Sequence, residues 1–262
     1  MLNFKTVSKS FPNDIETIHV LKNISFRIET GEFVAIMGPS GSGKSTLLGV
    51  AAGLDKPDTG SVILDDVDLT KEDETNLADL RAKKIGFIFQ NFQLLPGLTA
   101  VENVGIPLFL DPTLSEKKIL EKAKSILDSV SMGQRAGHFP KQLSGGEEQR
   151  VAIARSFVND PKIIFADEPT ANLDSKNSQT ILDLLLYRNQ KQGTTIIVVT
   201  HDPDVAKLAD RILYMHDGEI VKEIRNKVAN KKPINFSQSS KKTEKVSVKK
   251  VPLKKKNLKR SK

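Results

Sequence analysis

Two stretches of this chain have the makeup of phosphate-binding devices, and they lie about a hundred residues apart. The first, "GPSGSGKST" at residues 38–46, fits G-x-x-x-x-G-K-[ST]. In it Gly38, Pro39, Ser40, Gly41, Ser42 and Gly43 form a loop whose backbone N–H groups can wrap phosphate oxygens, followed by Lys44, Ser45 and Thr46. A lysine there reaches the terminal phosphates, and the hydroxyl after it suits Mg²⁺. The second, "LSGGEEQRVAIARS" at residues 143–156, sets Ser144, Gly145 and Gly146 at the start of a helical pattern. Small residues at a helix N-terminus also make an anion site, because free N–H groups and the helix dipole point the same way. A third element, "IIFADE" at residues 163–168, ends an apolar run with Asp167 and Glu168. Two carboxylates at a strand end can hold the metal of a bound nucleotide and orient an attacking water.

These groups need elements to aim them. "GEFVAIMG" reads as a turn and a buried strand before the first loop, and a helix is expected from Lys44 to Gly53. "SVILDD", "KIGFIFQ", "KIIFADE" and "TTIIVVTH" read as further strands, and "SKNSQTILDLLLYRNQKQ" and "PDVAKLAD" as helices. Short strands are expected before residue 30, joined by the polar "PNDIET" loop. "SEKKILEKAKSILDSV" places Ile119, Ala123, Ile126, Leu127 and Val130 on one face, with Ser115 able to cap. "RILYMHDGEIVKEI" reads as a hairpin turning at Asp217 and Gly218. Strands alternating with helices predict an α/β fold with a mostly parallel sheet.

Bulk properties bound the rest. The chain has 262 residues, 38% hydrophobic and 27% charged, as expected of a globular protein with a sizeable core. No apolar run is long enough to span a bilayer, the N-terminal segment lacks a signal-peptide pattern, and cysteine is absent, which excludes disulfides and thiolate metal sites. The net charge of +8 is unevenly placed: residues 225–262 hold 15 Lys/Arg and one acid, so the tail carries +14 and the remainder −6. Overall pI therefore gives no ground for nucleic acid as a partner.

With "GPSGSGKST" and "IIFADE", the ordered series "IGFIFQ" ending at Gln90, "LSGGE", "ANLD" and "IIVVTH" ending at His201 resembles the nucleotide-binding subunit of ABC transporters over about residues 1–225. The resemblance implies a P-loop ABC cassette: a mostly parallel core sheet, an N-terminal antiparallel β subdomain and a helical subdomain at about 92–157. It also implies ATP and Mg²⁺ as cofactors and a head-to-tail dimer. Each ATP would lie between the phosphate loop of one copy and residues 144–146 of the other, which accounts for two phosphate devices in one chain. By the same resemblance Phe11 would stack on adenine, Ser45, Gln90 and Asp167 would serve Mg²⁺, and Glu168 would be the base or water-orienting group. His201 would contact the γ-phosphate, and Asp174 would lie at the dimer interface. Glu147 stands where many relatives have glutamine, which should leave the phosphate contacts intact.

The resemblance further implies a separate membrane permease and a place at the cytoplasmic face of the membrane. "NFQLLPGLTAVENVGIPL" is similar to cassettes of lipoprotein release, macrolide-type export and antimicrobial-peptide resistance. The cell-division cassette that regulates wall remodelling and a soluble non-transport ATPase stay as alternatives. The basic tail reads as a solvated extension, as a tether to anionic lipid or as a nucleic-acid contact.

Overall fold

The longest apolar runs become the centre of a six-stranded sheet. In a computed structural model, which describes residues 1–13, 16–171 and 173–226, β3 (Phe33–Met37), β7 (Ile163–Asp167) and β8 (Thr195–Val199) are buried throughout except at Met37. With β6 (Ile85–Ile88), β9 (Arg211–His216) and β10 (Glu219–Arg225) they align in the order β10-β9-β3-β8-β7-β6. All neighbours run parallel except β10, which returns from β9 through Asp217 and Gly218 at φ +48° and +82°, the turn the sequence predicts. Both faces are covered, so alternate side chains feed two cores. Phe33, Ala35, Ile164, Ala166, Ile196 and Val198 pack on one side. Val34, Ile36, Ile163, Phe165, Ile197 and Val199 pack on the other.

The second core is closed by an antiparallel sheet of β1 (Leu2–Pro12), β2 (Thr17–Ile28), β4 (Thr59–Leu64) and β5 (Val67–Asp68), in the order β2-β1-β4-β5. β1 and β2 run for 11 and 12 residues, longer than the short strands expected. The cause is three register shifts along their pairing: each bulge resets the in-out alternation, so one long strand reads in sequence as several short ones.

Seven α-helices flank the sheets among the described residues: α1 (Lys44–Ala51), α2 (Glu74–Lys84), α3 (Ala100–Gly105), α4 (Glu116–Ser129), α5 (Gly145–Phe157), α6 (Ser175–Gln192) and α7 (Pro203–Lys207). α2 has no apolar stripe to announce it in the sequence, since it buries Leu77 alone. Its start is set by Asp73, whose carboxylate accepts from Asn76 N–H at 2.8 Å. On α4 the buried face is Ile119, Ala123 and Leu127, continued by Val130, while Ile126 is only partly covered. Ser115 occupies the cap position there, but its hydroxyl makes no cap hydrogen bond, contrary to expectation. Between β6 and β7 the regular structure is wholly helical, and α3, α4 and α5 share the first core. The basic tail lies, from Lys227 on, outside the described residues, and no helix among those described is long and apolar enough to cross a membrane.

Candidate active site at the carboxyl edge of the parallel sheet

Adjacent parallel strands end at one edge, so the loops that leave them meet. β3 delivers residues 38–43 and α1, β8 delivers His201, β7 delivers Asp167 and Glu168, and β6 delivers Gln90. A cavity of about 500 Å³ opens there, lined by Gly38, Ser40, Gly41, Gly43, Lys44, Ser45 and Thr46 on one side. Gln90, Asp167, Glu168 and His201 line the other. Thus residues some 160 positions apart in sequence share one pocket.

The phosphate loop requires glycine at two of its positions. A Cβ on Gly43, whose φ is +94°, would sit 2.7 Å from the Val20 carbonyl oxygen, and one on Gly38 would overlap the Met215 carbonyl. Lys44 begins α1 and donates from Nζ to the Pro39 carbonyl at 2.7 Å, so Pro39 shapes the loop without lining the cavity. Ser42 likewise lies beneath the cavity, buried. Val20, which the sequence reading did not single out, also lines the pocket. It is the extra residue of a bulge between the pairs Lys9–Leu21 and Ser10–His19, which turns it out of the ladder.

The acids differ in their surroundings. Burial pushes the Asp167 carboxyl above the ordinary Asp range, opposed by a hydrogen bond with Ser45 and by the charge of Lys44. Ser45, Asp167 and the Gln90 amide make an all-oxygen donor set, and among the described residues no group of three His, Cys, Asp or Glu is arranged to hold a metal ion by itself. That sparse set fits Mg²⁺, which keeps waters and takes substrate phosphate oxygens beside one carboxylate. Glu168 has φ +50°, strained for a non-glycine residue. Its N–H donates to the Val199 carbonyl at 3.0 Å, and its Oε1 lies 2.8 Å from His201 Nδ1. That hydrogen bond, then the carboxylate charge, raises the His201 pKa, so the ring holds its proton above the usual histidine range.

Asp167 yields a test of opposite signs. With its pKa raised, the folded state holds the proton more tightly than the unfolded chain does. This group therefore removes stability as pH rises from the ordinary Asp range through the folded value. Asp167→Asn is expected to leave the melting temperature at pH 7 unchanged or higher while hydrolysis falls by about a hundredfold or more. A clear drop in melting temperature without ligand would refute the desolvation argument.

Other expected residues lie outside the cavity. Ser144 caps α5 and is exposed together with Gly145, where a Cβ would meet open space. Glu147 completes a capping box: its Oε2 accepts from Ser144 N–H at 2.9 Å and from the hydroxyl at 3.0 Å, while Arg135 Nε donates to Oε1 at 3.0 Å. The Ser144 N–H bond is the main reason its pKa is lowered. Asp174 caps α6, accepting from Asn177 N–H at 2.8 Å. Phe11, 39% exposed, pairs with Ile18 at the end of the β1–β2 ladder, and Lys9 Nζ lies 5.1 Å from its ring centre.

Residues 21–171 match the family described as ABC transporter. The chain belongs to this family. It is an ATP-binding subunit with ATPase activity. Macrolide export ATP-binding/permease protein MacB of Rhodopirellula baltica is 44% identical over 230 residues, covering 87% of this chain and 34% of that longer one. Lipoprotein-releasing system ATP-binding protein LolD of Legionella pneumophila is 44% identical over 220 residues, 84% of this chain and 96% of its own. The dimeric structure of the cassette MJ0796 of Methanocaldococcus jannaschii, in a post-hydrolysis state with ADP and Pi, superposes with a TM-score of 0.84. It is 45% identical and covers 87% of this chain and 99% of that one. The expected ABC cassette fold is thereby established.

Proposed function

We propose that two copies of this subunit close head to tail around two ATP molecules and drive a separate permease of the export and lipoprotein-release type from the cytoplasmic face of the membrane. One observation carries the reading: a complete phosphate loop, two carboxylates, a glutamine and a histidine share one cavity, while residues 144–146 stand outside it on an exposed helix end. A second copy can bring those residues to the γ-phosphate, and two-fold symmetry then completes both sites at once. The relatives named for macrolide export and for lipoprotein release favour that permease class.

In this scheme Lys44 and backbone N–H groups of the loop at 38–46, which Pro39 does not supply, hold the β- and γ-phosphates, with Phe11 against the adenine. Mg²⁺, held by Ser45, Gln90 and Asp167, would supply charge neutralisation at the phosphate oxygens. Glu168 accepts a proton from the attacking water, and His201 fixes its carboxylate. Ser144 and the amides of Gly145 and Gly146 in the partner copy oppose the charge that develops on the γ-phosphoryl group. Once that group leaves, the partner loses its anion and the dimer opens.

Mixing two inactive variants tests the shared site. Lys44→Ala spoils every phosphate loop it carries, and Ser144→Arg spoils every partner contact. In a mixed dimer one site has both defects and the other has none. Equal mixing should restore about a quarter of the wild-type sites. Activity no higher than that of either variant alone would exclude a composite site.

A further inference from the structure

The loop that follows Gln90 is held in a conformation that L-residues seldom adopt. Phe92 and Gln93 have φ of +55° and +50°, two left-handed residues in succession, and neither is glycine. L-residues other than Asn and Asp rarely enter that region, because the Cβ crowds the next carbonyl; the other such pair among the described residues, Asp65 and Asp66, is aspartate at the turn between β4 and β5. The turn is tight, with Phe92 N–H bonded to the Phe89 carbonyl at 3.1 Å and Gln93 N–H to the Asn91 carbonyl at 2.5 Å. Such a shape persists only where the surroundings impose it.

Arg155, near the end of α5, supplies that constraint. It donates from one guanidinium nitrogen to the Phe92 carbonyl and from the other to the Gln93 carbonyl, both at 2.6 Å. Burial lowers its pKa, and no carboxylate pairs with it among the described residues. A cation is costly to remove from water, and here it is spent on two backbone oxygens. The planar fork matches two successive carbonyls as an ammonium cannot. Farther along, buried Asn103 accepts from Leu95 N–H at 2.7 Å and donates to the carbonyls of Leu95, Leu98 and Thr99. The loop is therefore fixed at both ends, and only the end nearest Gln90 is fixed by α5.

The same helix reaches the other catalytic loop. Gln149, buried on α5, donates to the Pro169 carbonyl, one residue past Glu168. One rigid element thus carries Ser144 at its start and touches the backbone beside both Glu168 and Gln90.

We propose that Arg155 is a positioning residue: by clamping Phe92 and Gln93 it sets Gln90 in the cavity and couples that loop to the helix that opens with Ser144. The role rests on the part given above to Gln90. A shift of α5 on dimer closure would move the Gln90 loop with it, and a pull on the loop would reach Ser144.

The test is a double-mutant cycle on the full chain. Arg155→Lys keeps the charge and loses the fork. We expect kcat to fall at least about tenfold, since misplacing a group near the reaction by 1 Å can cost about a hundredfold. The ATP Kd should stay within about twofold, because the phosphate loop is built on β3 and α1. In a Gln90→Ala background the same substitution should cost less than about twofold, as expected when one residue acts through the other. A repeated tenfold loss on top of Gln90→Ala would overturn the proposal and leave Arg155 a packing residue. Gln90→Ala with unchanged kcat would overturn it differently, by removing the group to be positioned. If Arg155→Lys does not fold, Gln93→Pro takes its place in the cycle. It locks φ near −65°, where the clamped turn has +50°, and so breaks the turn with the half-buried cation intact; a kcat loss that vanishes in the Gln90→Ala background supports the clamp, whereas an additive loss sinks it.

Discussion

Glu168→Gln is expected to reduce hydrolysis by about 10²- to 10⁴-fold, the range for losing a positioned acid or base, while ATP binding survives. The side chain keeps its shape, and its amide oxygen can still accept from His201, whose Nδ1 lies 2.8 Å from Glu168 Oε1. What is lost is the capacity to take a proton from water. Removing a carboxylate beside the γ-phosphate also lessens repulsion in the closed state, so ATP should hold two copies together instead of being consumed. Light scattering on the purified variant with saturating ATP and Mg²⁺ should show a dimer that dissociates when nucleotide is withdrawn. A monomer under those conditions would contradict the shared-site reading. Loss of ATP affinity would place Glu168 in binding instead of in chemistry. The His201 ring should hold its proton less firmly in this variant, because Glu168 is the main cause of its raised pKa. NMR titration of that ring should move towards lower pH.

Much of this site was legible in the sequence because its chemistry is local. "GPSGSGKST" places a loop, an ammonium and a hydroxyl within nine residues, and the apolar run before it requires a buried strand that ends there. "IIFADE" likewise gives both a strand and the acids at its end. Parallel pairing of β3, β8, β7 and β6 then converts a list of strand ends into one cavity. Less legible were the residues whose roles depend on distant backbone. Val20 lines the pocket only because a bulge turns it outward, and a valine in a strand announces nothing. Arg155 in "AIARS" reads as a solvated residue of an amphipathic helix, yet it is bonded to carbonyls some sixty residues earlier. The left-handed φ of Glu168 has no sequence signal, since glycine is what that conformation normally selects. Glu147 was the intermediate case: Ser-x-x-Glu is a helix-start pattern in its own right, so the acid that looked like a departure from the family serves the cap.

Lys44→Ala should act on the opposite step, abolishing turnover by preventing nucleotide from being held. Alanine is at least as good a helix former as lysine, so α1 should persist, and among the described residues the hydrogen bond given up is the one to the Pro39 carbonyl. Lost with the ammonium are charge-assisted hydrogen bonds to phosphate oxygens, about 2–3 kcal/mol, or roughly a 30- to 150-fold weaker ATP Kd. A second consequence follows from the charges nearby. Lys44 opposes the rise of the Asp167 pKa and lowers that of His201. Its removal should raise both, so Asp167 would keep its proton to higher pH and the Mg²⁺ dependence of ATP binding would shift to higher concentration at mildly acidic pH. Calorimetric titration at two pH values separates the effects. Weaker ATP binding at both, with a further loss at the lower one, fits a lysine that serves phosphate and carboxylate together. The same loss at both pH values confines Lys44 to the phosphates, and an unchanged Kd removes it from the binding site.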